Sequence, residues 1–276
     1  MAIINRTTDS FWDGNRHAEI ESAMAALADA VECGAEIVDV GGVRAGQEGE
    51  DVTAAMEIER VVPFLELARE AYPSVVLSLD TWRSEVASAA GDLVDLVNDT
   101  WQGADPELVN VAADLGAGYV VSHAGGLPPR TAPAAVTYPP EPDGVRGDVL
   151  RVLTAGAERA LAAGIPRERI LLAPTLDFGK TTAHSLTLLR NSAEVVALGF
   201  PVMQALSRKD FVGEALDLAA DERLEGTLAG TAVAAWLGVS VFRAHDVRAT
   251  RRVLDMVASI RGERPPALSV RGNRPD

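Results

Sequence analysis

The chain has 276 residues, 47% hydrophobic and 24% charged, with a formal net charge of −15. That length supports one large core, and the negative balance argues against general binding to nucleic acid or to an anionic membrane. No apolar run is long enough to span a bilayer, and the start M-A-I-I-N lacks the basic and long apolar regions of a signal peptide. A lone Cys33 rules out an intrachain disulfide framework, and its Ala-rich helical surroundings read as a packed thiol. A reducing, cytoplasmic setting is the expectation.

Short apolar runs predict buried parallel strands at 1–4, 36–40, 75–79, 93–97, 119–122, 170–172, 201–205 and 240–243. Stretches with apolar residues at three- and four-residue spacing predict helices between them, at 17–33, 53–71, 145–163, 223–237 and 247–260. Eight strands alternating with helices predict a single closed (β/α)8 TIM barrel over 1–262. The alternative is an open doubly wound sheet. No G-x-G-x-x-G follows the first strand, which counts against it. Residues 127–142 carry six prolines and cannot form a regular helix or central strand. Following strand five, they should lie over the barrel mouth as a rim or lid. The tail from 263 to 276 reads as a poorly ordered extension.

In such barrels the working groups gather at the carboxyl ends of the strands. Here those ends offer Asn5, Asp39, Asp80, Asn98, Ser122-His123, Ser207-Arg208-Lys209-Asp210, and Arg243 with His245. A single polar strand end often just caps the next helix. Polar groups at seven of the eight ends predict one shared site. Lys209, Arg243 and His245 come from strands seven and eight, where barrels commonly place a phosphate site. Arg243 and His245 flank Ala244, so both can point the same way. Asp39, Asp80 and Asn98 could read donors on a heterocycle. Only two of the 25 basic residues are lysines, Lys180 and Lys209, and both fall in candidate loops. The sixth strand leads into A-P-T-L-D-F-G-K at 173–180, whose second half predicts a ligand-contacting loop carrying Phe178 and Lys180.

Six segments resemble dihydropteroate synthase. They are M-A-I-I-N-R-T-T-D-S-F, E-I-V-D-V-G-G, S-L-D-T-W-R-S-E-V-A, V-N-D-T, L-S-R-K-D-F and F-R-A-H-D-V, in order and at matching strand ends. That family condenses 6-hydroxymethyl-7,8-dihydropterin diphosphate with p-aminobenzoate and releases diphosphate. The resemblance implies that Asn5 helps hold a Mg²⁺-diphosphate. It also implies that Arg243, His245 and Lys209 take the diphosphate, while Asp80 and Asn98 hold the pterin. Asp80 and Lys209 are the candidate catalytic residues. Asp39, Asp177, Phe178, Lys180 and Ser207 join Asn98, Arg243 and His245 as candidate substrate contacts. The expected partner is a pterin diphosphate or a related diphosphate ester, and the resemblance implies a homodimer.

Three departures bear on activity. The second loop reads G-G-V-R-A-G-Q-E-G, without the family's Ser and Thr. Ala173 stands where the family carries the Asp that holds the pterin's amino-pyrimidinone edge, and Asp177 replaces a Gly four residues on. Asp210 replaces a small hydroxyl beside the p-aminobenzoate carboxylate. The pattern resembles a divergent second paralogue more than the housekeeping enzyme, so weak, absent or altered synthase activity is expected. An active enzyme rescued by Asp177, or a non-catalytic pterin- or diphosphate-binding homodimer, are the alternatives. A methyltetrahydrofolate-binding barrel does not account for the S-R-K and R-A-H residues, because that substrate has no diphosphate.

Overall fold

The computed structural model describes residues 1–6, 13–44, 51–130, 136–140 and 144–271, the side chains of 13–19 excepted. Eight parallel strands run through these residues: β1 (Ala2–Asn5), β2 (Ile37–Gly41), β3 (Val76–Asp80), β4 (Leu96–Asp99), β5 (Gly118–Ser122), β6 (Ile170–Ala173), β7 (Met203–Ala205) and β8 (Val241–Arg243). The first six pair in chain order, and β7 pairs with β8. Two bridges, Leu172 to Val202 and Ala2 to Ala244, join these sheets into a closed ring. The second seam also carries Ile3 N–H to the Ala244 carbonyl and Ala244 N–H to the Met1 carbonyl. The α/β alternation therefore closes as a (β/α)8 barrel.

The helices form the outer ring: α1 (Asp13–Glu32), α2 (Ala54–Ala71), α3 (Ser84–Ala90), α4 (Leu108–Asp114), α5 (Val145–Ala162), α6 (Thr182–Arg190), α7 (Ser192–Val196), α8 (Asp210–Leu216), α9 (Leu224–Trp236) and α10 (Val247–Ile260). Strand four begins at Leu96, three residues later than the apolar run suggests. A 3₁₀ turn takes Gly91–Leu93, and the Asp95 carboxylate accepts the Leu77 N–H at 2.8 Å and Arg69 at 2.6 Å. Residues 263–271 form no helix or strand, and Leu268 and Val270 are exposed.

Because the strands are covered on both faces, the apolar side chains separate into two cores. The larger lies between strands and helices, with Phe64, Leu65, Leu77, Leu79 and Leu153 fully buried. The smaller fills the barrel interior with Leu96, Val120, Leu171, Ala173 and Met203, flanked by Met1, Ile37 and Val241. Met1, Ile37, Leu96 and Val241 sit at or beside strand starts, while Ala173 ends β6, so this plug fills the amino-terminal part and rises along β6 and β7 to line the mouth.

Close helix-to-strand contact is set locally by Gly156 of α5. A Cβ there would lie 2.3 Å from Val121 Cγ1. Gly156→Val should therefore cost about 1–3 kcal/mol through overpacking and lower the melting temperature. An unchanged melting temperature would remove this contact from the account of how α5 seats on β5.

Candidate active site

The mouth holds a two-lobed cavity. The inner lobe, about 420 Å³, is lined by Asn5, Asp80, Trp82, Asn98, Ala173, Phe178, Lys209, Arg243 and His245 among others. The outer lobe, about 330 Å³, shares Trp101, Phe178, Lys209, Arg243 and His245 and adds Leu127, Asp177, Ser207, Arg208 and Asp210. Leu127 belongs to the proline-rich segment after β5. Farther along that segment, the Tyr138 hydroxyl donates to the Gly179 carbonyl at 2.8 Å. The remainder at 131–135 and 141–143 lies outside the described residues, as do most of the first and second loops, at 7–12 and 45–50.

Arg243, from β8, reaches across the barrel and bridges two carboxylates. Its Nε donates to Asp39 Oδ2 at 2.6 Å and its Nη2 to Asp80 Oδ2 at 2.7 Å. Asp39 is fully buried and also accepts the Ser78 hydroxyl and, at 3.0 Å, Asn98 Nδ2. Asp80 Oδ1 accepts the Thr100 hydroxyl at 3.1 Å. Burial pushes the Asp80 carboxyl up to about 7 against the opposing pull of Arg243. Asp39 is absent from the surface of both lobes. The expectation of a direct substrate contact gives way to a supporting one, because its oxygens are taken by Ser78, Asn98 and Arg243.

On the opposite wall, Lys209 precedes α8. Its ammonium donates to the Leu176 carbonyl and lies 4.9 Å from the centre of the Phe178 ring. Burial draws its pKa down to about 8, with Arg243 adding to the fall and Asp177 opposing it. Phe178 meets Trp101 edge-on with ring centres 5.2 Å apart. The Ser207 hydroxyl accepts the His245 backbone N–H at 3.2 Å and lies 3.0 Å from His245 Nδ1. Desolvation, followed by the neighbouring Arg243, lowers the His245 pKa. Arg208 turns away into a two-bond pair with Asp246, at 2.9 and 3.0 Å.

The loop after β6 corrects one sequence-assigned contact, Lys180, and sets a second, Asp177, at the outer lobe. Lys180 is buried and lines neither lobe. Its three N–H bonds go to the carbonyls of His123, Thr175 and Phe178 at 2.8, 3.0 and 2.7 Å, so it ties the β5 and β6 loops together. The same loop needs Gly179, whose φ is 60° and where a Cβ would lie 2.4 Å from the Ala124 carbonyl oxygen. Asp177 reaches the outer lobe but not the inner one. Its φ is 70°, its Oδ1 accepts the Ser185 hydroxyl at 3.0 Å, and its Oδ2 accepts the Phe211 N–H at 3.2 Å. It is half-buried and does not replace a carboxylate beside Ala173. Asp210, at the start of α8, pairs with Arg223 at 2.9 Å.

His123 also turns from the cavity. It is fully buried, its Nε2 lies 2.8 Å from Asp148 Oδ2, and burial draws its pKa down to about 4. Trp82, Thr100, Trp101, Thr175 and Met203 line the inner lobe without having been singled out in the sequence. A signal existed for the two tryptophans. Trp82 follows D-T at the end of strand three, and Trp101 follows N-D-T at the end of strand four. Asp99 sets the second of these by accepting the N–H groups of Trp101 at 3.0 Å and Gly103 at 2.6 Å, together with the Tyr119 hydroxyl at 2.8 Å.

Residues 1–245 match the family model described as pterin binding enzyme. The chain is 55% identical over 273 residues to "Inactive dihydropteroate synthase 2" of Mycobacterium leprae, covering 99% of this chain and 94% of that protein. It is 33% identical over 255 residues to dihydropteroate synthase of Haemophilus influenzae, covering 92% and 90%. The solved Xanthomonas albilineans dihydropteroate synthase with 4-aminobenzoic acid superposes with a TM-score of 0.83 at 33% identity, over 95% of this chain and 92% of that one. The strand-end motifs, the closed barrel and these similarities agree that the chain belongs to the pterin-binding enzyme family, as a dihydropteroate synthase-like protein.

Proposed function

We propose that the mouth binds the diphosphate ester of a ring compound and condenses it with p-aminobenzoate weakly or not at all. The observation that carries this reading is the asymmetry of the inner lobe. Asp80, Asn98, Lys209, Arg243 and His245 line it together, yet the β6 end contributes Ala173, Thr175 and Phe178 and no carboxylate. In this reading Lys209, Arg243 and His245 face the diphosphate, and Ser207 orients His245. Asp80 and Asn98 face the ring, and Phe178 walls it. Asp39 and Lys180 act from behind, by fixing Arg243 and the loop. Asn5 would meet the Mg²⁺ accompanying the diphosphate. One amide oxygen suits an ion held mostly by phosphate and water, and among the described residues no cluster of three His, Cys, Asp or Glu could cage one. When bound, that ion would offset charge on the leaving diphosphate.

The chemistry open to such a site is breakage of the ester C–O bond. The electron pair leaves on the diphosphate oxygen, where cations favour it. Positive charge left on the methylene carbon is stabilised by ionised Asp80. An amine then attacks that carbon and loses a proton. A missing carboxylate at the ring edge would weaken binding by roughly 2–5 kcal/mol, enough to suppress turnover. The relatives named inactive support this reading. With dihydropterin diphosphate, Mg²⁺ and p-aminobenzoate, turnover should stay below about 0.1 s⁻¹. Faster product formation would replace this reading with that of an active synthase.

Sulfate, whose charge is constant over the range, reports on the charges of the protein alone. Between pH 9 and pH 6 both Lys209, near 8, and Asp80, near 7, gain a proton, so each adds positive charge. Sulfate should bind roughly tenfold more tightly at pH 6 than at pH 9 by calorimetry. Lys209→Met should remove the upper part of that change. A flat profile would contradict the anion assignment.

The homodimer is proposed to form through α9 and α10. Val233, Trp236, Met256 and Ile260 are exposed on these two helices, which pack together and are joined by Arg261 to the Ala235 and Trp236 carbonyls. A cytoplasmic setting agrees with the single Cys33. Light scattering should give a dimer, and the double variant Trp236→Glu, Met256→Glu should give a folded monomer. An unchanged mass for that variant would place the interface elsewhere.

A further inference from the structure

Among the described residues, the β6 end of the inner lobe holds no carboxylate and no buried side-chain acceptor without a partner. Ala173 offers a methyl group. Its carbonyl already accepts the His123 N–H at 3.1 Å and the Thr175 hydroxyl at 3.0 Å. Met203 and Ala205 of β7 and Ile3 of β1 continue an apolar wall around it. Ala173 and Met203 belong to the interior plug, packed with Leu171.

The facing side has one buried acceptor with no partner. Asn98 is fully buried and lines the lobe. Its Nδ2 donates to Asp39, and its Oδ1 finds no partner. The amide cannot be reversed without setting its oxygen against the Asp39 carboxylate, which Arg243 and Ser78 hold in place. Each Asp80 oxygen already has one donor, Thr100 or Arg243, so among the lobe-lining residues Asn98 Oδ1 is the buried acceptor with no partner at all. A ring entering the lobe therefore meets one open buried acceptor, then hydrocarbon, between the aromatic walls of Trp101 and Phe178.

We infer that the inner lobe selects phosphate or diphosphate esters of a fused aromatic ring that carries one ring N–H, directed at Asn98, and a hydrocarbon edge against Ala173 and Met203. This rests on the diphosphate reading of the opposite end of the lobe. An aminopyrimidinone ring has the wrong inventory. It sets an N–H and an NH₂ side by side on one edge, and Asn98 can satisfy only one of them. The other loses its hydration without replacement, and that loss is where discrimination arises.

Calorimetry on the full chain with Mg²⁺ compares four probes: inorganic diphosphate, 2-(indol-3-yl)ethyl diphosphate, 2-(1-naphthyl)ethyl diphosphate and 6-hydroxymethyl-7,8-dihydropterin diphosphate. The indolyl ester should bind at least about tenfold more tightly than either other ester. Asn98→Ala should level the indolyl and naphthyl esters. Ala173→Asp should strengthen binding of the pterin ester by at least about tenfold. The comparison on the native chain needs no variant to fold. Equal indolyl and naphthyl affinities, or a preference for the pterin ester, would overturn the inference while leaving the diphosphate reading standing. Failure of inorganic diphosphate and of every ester to bind would overturn both.

Discussion

Arg243 sits between Asp39 and Asp80, and much of the mouth depends on that bridge. The three residues come from β8, β2 and β3, so one guanidinium links the last strand to two early ones across the seam that β1 closes. Planar two-sided donation suits arginine and not lysine, because separate N–H groups must reach separate carboxylates in fixed directions. Removing the arginine would leave Asp39 buried without its cation, a type of change that costs about 3–5 kcal/mol. The bridge also works at a distance. It fixes Asp39, Asp39 fixes the Asn98 amide, and that amide decides whether the lobe presents a donor or an acceptor.

The same bridge limits what Arg243 can give to an anion. Two carboxylates already oppose its charge, so the triad carries a net negative charge when both are ionised. Raising the Asp80 pKa toward neutrality relieves this, since a protonated Asp80 leaves Arg243 opposed by Asp39 alone. Lys209 is held under similar tension by burial and by the Leu176 carbonyl. The cations of the mouth are thus conditional. Their strength depends on groups that titrate within two pH units of neutrality.

Legibility in the sequence follows from how strongly the backbone dictates side-chain direction. Strands alternate, so once the β runs were located, Asp80, Asn98, Arg243 and His245 could be placed at one end and facing one cavity. Loops carry no such rule. Thr175, Asp177 and Gly179 all have positive φ, at 45°, 70° and 60°, within five residues. That path turns Lys180 inward to three carbonyls and sends Asp177 toward α8. Neither direction can be read from A-P-T-L-D-F-G-K. Asp39 shows the complementary limit. It faces the barrel interior with the same parity as Asp80 and Asn98, but one layer deeper along its strand, beneath the cavity surface, where its oxygens are used in support.

The two acidic changes around β6 make one rearrangement when viewed as charge. Ala173 has no carboxylate where the inner lobe would otherwise hold one, while Asp177 places one at the start of α8, on the Phe211 N–H and the Ser185 hydroxyl. Such a residue in left-handed backbone costs on the order of 1–2 kcal/mol, and those two hydrogen bonds offset it. The inner lobe becomes apolar at the end where a donor-rich ring would need a counterpart. Behind the outer lobe, the Phe211 N–H at the start of α8 is already occupied by Asp177. Asp210 adds a second negative group beside it, paired with Arg223. A carboxylated amine would thus enter a lobe whose Arg208 and Arg243 already have internal partners. Weak condensation with p-aminobenzoate follows from both lobes, by separate physical routes.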